Sequence, residues 1–118
     1  MSVDPPLYRP QFTVKVEGFR PRRSNTLFGF CIIGIPELRL RIIDLTVHES
    51  QGRRWASLPG KPQVDKDGQM RRDRRGKVAY SPVFQFTDKD VGCAFSHRVI
   101  EALLEADPRA FDDMETAR

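Results

Sequence analysis

Nine basic side chains crowd into residues 53–77: Arg53, Arg54, Lys61, Lys66, Arg71, Arg72, Arg74, Arg75 and Lys77. Guanidinium groups bind phosphate in bidentate fashion and stack on bases. Clustered cations gain affinity for a polyanion by releasing its counterions. Only Asp65, Asp67 and Asp73 interrupt the cluster, which therefore carries a net +6, while the remaining 11 basic and 13 acidic residues leave −2. Residues 101–118 hold six carboxylates against two arginines. This asymmetry predicts a polyanion-facing segment and an acidic tail that screens it until a polyanion displaces the tail. Arg20, Arg22 and Arg23 form a second basic group. Trp55 directly follows Arg53 and Arg54, where it can stack on the bases of a single strand. A lone tryptophan on a strand also reads as packing, and Tyr80 allows the same two readings. The basic cluster likewise has a plainer reading, a solvated loop neutralised by its own aspartates and the tail.

Other reactive residue types form no constellation. His48 and His97 are far apart and lack cysteine or carboxylate neighbours at metal-ligand spacing. Asp44 and His48 would share a strand face as an acid–base pair, but a surface histidine is the simpler reading. Ser96 and His97 are adjacent on a helix and point apart, so they make no nucleophile–base pair. Asp65-Lys-Asp-Gly lacks the distal glutamate of a calcium loop. Gly29 and Gly34 flank apolar residues and cradle no phosphate. Cys31 and Cys93 read as buried free thiols in a reducing compartment. No catalytic residue, metal or cofactor is expected. The opening segment lacks the layout of a signal peptide, and no apolar run reaches membrane-spanning length. A cytoplasmic protein with no membrane association is expected.

The 118 residues suit one domain. Residues 1–11, with three prolines, read as an extended arm. From residue 12, Phe12, Val14 and Val16 alternate with Thr13, Lys15 and Glu17, the period of a half-buried strand. Arg20-Pro-Arg-Arg-Ser-Asn reads as a turn that ends it. Residues 27–35 are almost wholly apolar and read as a central strand. Residues 38–48 alternate, with a change of phase at Ile42-Ile43 that predicts a bulge. Glu49-Ser-Gln-Gly is a turn, and residues 53–58 a short strand. Residues 59–77 read as one long basic loop, the part of the chain least ordered without a ligand. Residues 77–86 return to a strand, with Phe28, Phe30, Phe84, Phe86 and Phe95 assigned to the core. A helix over 88–106, opened by a capping box from Thr87 to Asp90, presents Val91, Ala94, Phe95, Arg98 or Val99, Ala102, Leu103 and Ala106 on one stripe. The acidic tail is 108–118.

The order of motifs resembles the stage V sporulation protein G (SpoVG) family. A strand carries Leu-Arg-Ile-Ile-Asp-Leu-Thr-Val, followed by Arg54-Trp-Ala-Ser-Leu-Pro-Gly-Lys-Pro62, a loop with Asp67-Gly68, a strand with Tyr80-Ser-Pro-Val, and a helix. The match spans residues 12–104. Leu58 stands where that family has methionine, Gly60 intervenes before Lys61, and the loop is richer in arginine. The resemblance implies a bacterial or phage protein, a homodimer formed through sheet edges, and binding of DNA or RNA without a catalytic site. A weaker similarity, strands followed by one helix, links the chain to single-stranded-DNA-binding transcriptional coactivators.

The expectation is an α+β domain over residues 12–107, a twisted antiparallel sheet of about five strands with one C-terminal helix. It binds nucleic acid, single-stranded DNA or RNA in preference, through the arginine-rich loop and the sheet surface. The rival is an assembly module whose basic loop recognises an acidic partner protein.

Overall fold

The computed structural model describes residues 13–112. The N-terminal arm, and Phe12 with it, lies outside the described residues, as does the end of the acidic tail.

The α+β class holds. Strands β1 (Lys15–Ser24), β2 (Leu27–Ile35), β3 (Leu40–Ser50) and β4 (Arg53–Ser57) form a four-stranded antiparallel meander in sequence order. A second, two-stranded sheet pairs β5 (Gly60–Pro62) with β6 (Tyr80–Pro82), and the helix α1 (Lys89–Ala106) closes the fold. A short 3-10 turn, Pro36–Leu38, links β2 to β3.

Tight turns set the meander. Gln51 and Gly52 both take positive φ between Ser50 and Arg53, the conformation that joins twisted strands through two residues. The expected turn at residues 20–25 is shorter than read. β1 runs on to Ser24, and only Asn25 and Thr26 connect it to β2. Pro21 is tolerated there because β1 is an edge strand.

The bulge falls where the phase change placed it, one residue later. Cys31 pairs with Leu45 and Ile33 with Ile42, so Ile43 and Asp44 face the single residue Ile32. Asp44 takes the left-handed conformation, φ 64°, which aspartate accepts more readily than most residues. Ile42, Leu45 and Val47 consequently point inward and Ile43 is exposed.

The core lies between the sheet and α1. Cys31, Ile33, Leu45, Val47, Val99 and Leu103 are fully buried. The helix contributes Phe95, Val99, Ala102 and Leu103, the expected i, i+4, i+7, i+8 stripe. Asp88, not Thr87, caps it: the Asp88 carboxylate accepts from the Asp90 and Val91 amides at 2.8 and 3.3 Å. Packing continues past the helix, where Ala110 and Phe111 are buried and the Phe111 ring meets Phe28 at 5.3 Å.

Four assignments to the core are corrected. Phe30 is only half-buried and belongs neither to the core nor to the shell packed on it, because it alternates with the buried Cys31 along β2. Phe84 and Phe86 are exposed, because the chain after Pro82 leaves the strand and runs over the surface. They line an apolar groove with Leu38, Leu40 and Leu58. Cys93 is exposed on the helix; only Cys31 is buried, and burial pushes its thiol up to about 11.

Candidate nucleic-acid interface

The basic loop is a built lobe. Three segments, 60–64, 70–72 and 78–82, each pair with the other two: Pro62 with Tyr80, Val64 with Met70, and Arg72 with Val78. At its centre the backbone closes a ring. Gln63 N donates to Ala79 O, Ala79 N to Arg71 O, and Arg71 N to Gln63 O, each at 2.8 Å.

The three ring residues are eight apart, and the turns between them repeat. In Asp65-Lys-Asp-Gly-Gln, the Asp65 carboxylate accepts from the Asp67 and Gln69 amides, both at 2.9 Å. In Asp73-Arg-Arg-Gly-Lys, the Asp73 carboxylate accepts from the Arg75 and Lys77 amides at 2.8 and 3.0 Å. Gly68 and Gly76 both sit at φ 81°, where a Cβ is strained. The hydrogen bonds to Asp73 hold its carboxyl below the usual range, helped by the charges of Lys77 and Arg75. An eight-residue recurrence of Asp-x-x-Gly was the signal that identified this lobe, and reading only its first copy as a turn missed it.

Two of the lobe's three aspartates thus serve the backbone as turn anchors. Lys61, Lys66, Arg71, Arg72, Arg74, Arg75 and Lys77 are all exposed. Arg72 donates to Gly76 O at 2.8 Å. Among the described residues none of the seven forms an ion pair; the five pairs lie on the body of the fold.

The other basic candidates divide. Arg54 is committed to structure: its Nε donates to Glu49 at 2.9 Å and its guanidinium covers the Phe111 ring at 4.4 Å. Arg23 lies over Phe28 at 3.9 Å. Arg20 reaches over Phe30 at 4.8 Å and lies 3.9 Å from Asp44. Arg22 and Arg53 are exposed on edge strands.

Trp55 is half-buried and stacked on His48, its cross-strand partner. His48 is fixed at both nitrogens, 3.0 Å from Thr26 Oγ1 and 3.0 Å from Thr46 Oγ1. Burial lowers its pKa, so the ring is neutral at pH 7. The surface histidine expected at this position is half-buried, and Asp44 sits in the bulge facing Arg20, so the alternative Asp44–His48 pair does not form either.

No family model, curated protein or solved structure matches the chain. The function therefore rests on its own geometry. Among the described residues no group of three histidine, cysteine or acidic side chains is placed to hold a metal, and no helix is long and apolar enough to cross a membrane.

Proposed function

We propose that the chain binds nucleic acid, single-stranded DNA or RNA in preference to duplex, with the lobe at residues 60–82 as its phosphate-binding element. One observation carries this reading: seven exposed cations without ion-pair partners among the described residues, on a scaffold that uses Asp65 and Asp73 as turn anchors. Ordered cations lose less conformational entropy on binding than those of a loose loop. Arg20, Arg22, Arg53 and Trp55 extend the surface onto the four-stranded sheet, whereas Arg54 and Arg23 support the fold. The resemblance to the SpoVG family supports the same reading, and with it a homodimer; the two free thiols fit a cytoplasmic setting. The exposed strip of Leu38, Leu40 and Phe84 offers such a dimer apolar area to cover.

Fluorescence anisotropy with labelled 20-nucleotide single strands, the matching duplex and an acidic peptide tests this. Single strands are expected to bind tightest. Tighter binding of the acidic peptide supports the rival, an assembly module for an acidic protein, and overturns the nucleic-acid reading.

A further inference from the structure

The sheet face turned away from α1 carries a second feature, distinct from the lobe. Register defines its rows. Arg20, Phe30, Thr46 and Ser57 pair in one row across all four strands, and Ser24, Leu27, His48 and Trp55 in the next. None of these eight belongs to the core or to the partly buried shell packed on it. Phe30 and Trp55 are half-exposed aromatics on this face.

We infer that Phe30 and the His48–Trp55 stack form a two-base platform for single-stranded nucleic acid, which rests on the nucleic-acid reading and adds the base-contacting site to it. The geometry is that of a prepared surface. The indole and imidazole are parallel within 7°, and two threonine hydroxyls hold the imidazole in place. Phe30 is the diagonal neighbour of His48, and such pairs lie about 7–8 Å apart, which gives each aromatic unit its own base. Charge complementarity selects the occupant. The exposed Arg20 guanidinium lies over the Phe30 ring at 4.8 Å, where it must swing aside to a phosphate for a base to take its place, and Arg53 lies on the same face of β4 as Trp55, so a cation for the backbone accompanies each ring. A duplex cannot use this face, because its bases are already stacked on one another; a single strand can.

The test titrates the whole chain with a thymidine 12-mer, an abasic 12-mer of equal charge, and the 12-mer in duplex form, following Trp55 fluorescence. The thymidine strand is expected to bind at least about 10-fold tighter than the abasic strand, with quenching. Phe30→Leu, read by the same signal, and Trp55→Leu, read by the anisotropy of end-labelled strands because Trp55 is the only tryptophan, should each narrow that gap. Equal affinity of wild type for the two 12-mers overturns the platform and leaves the lobe as the binding element. Failure of both strands to bind overturns the function itself. A Trp55 signal that changes with protein concentration alone assigns the face to a second copy of the chain and also overturns the platform.

Discussion

The imidazole of His48 lies parallel to the indole of Trp55 across β3 and β4, ring centroids 5.3 Å apart and planes 7° apart. The contact matters because neither ring is free to turn. His48 is bonded on both nitrogens, and Trp55 lies flat on it.

The same contact makes stability depend on pH. Burial depresses the folded-state pKa of His48 below its ordinary value near 6.5. As pH falls through 6.5 the unfolded chain takes up the proton first, so stability falls; above about 7 this contribution is constant. Urea unfolding at pH 5.0 and 7.5 should show a larger acid loss for wild type than for His48→Gln. Equal losses would show that His48 titrates alike in both states.

Gly76→Ala should strain the second turn of the lobe by about 1–2 kcal/mol, the cost of left-handed backbone for a residue with a Cβ. The lobe contributes nothing to the main core, so the effect is local. Hydrogen exchange should quicken at Arg71, Lys77 and Ala79, with the Leu45 and Val47 amides unchanged. Asp73→Ala should act in the same direction by removing the acceptor for two amides.

Phe111→Ala should destabilise the fold by about 3 kcal/mol, the low end for a buried phenylalanine, since Phe111 lies at the margin of the core. The thermal midpoint reports it. Shortening the tail must therefore stop after Asp112. Removal of residues 113–118 should tighten nucleic-acid binding if the acidic tail screens the lobe; unchanged affinity would refute screening.

Ser96→Ala should cost about 1 kcal/mol. Ser96 Oγ accepts from Ala56 N at 2.9 Å and so ties the helix to the outer edge of β4. The loss should appear in urea unfolding together with faster exchange of the Ala56 amide.

Much of the fold was legible because its strands advertise themselves. Alternation along residues 38–48, the double isoleucine at the bulge and the Gln51-Gly52 turn each leave a local mark. So does the helical stripe ending in Leu103. The lobe left only the eight-residue recurrence of Asp-x-x-Gly, since backbone hydrogen bonds close it and no apolar period runs through it. Phe84 and Phe86 misled because composition reports only that a side chain is apolar; whether anything covers it is decided by distant residues. Arg54 misled for the same reason, since its partners Glu49 and Phe111 come together only in the fold. The stack on His48 depends on the register of β3 against β4, which no single segment specifies.

The central claim is that the lobe binds phosphates. It is tested most directly by the salt dependence of single-strand affinity for wild type and for a variant with Arg71, Arg72, Arg74 and Arg75 all changed to serine. If each arginine meets a phosphate, the slope of log affinity against log salt should shrink in magnitude by about 3 in the variant. An unchanged slope, with affinity retained, would contradict the account.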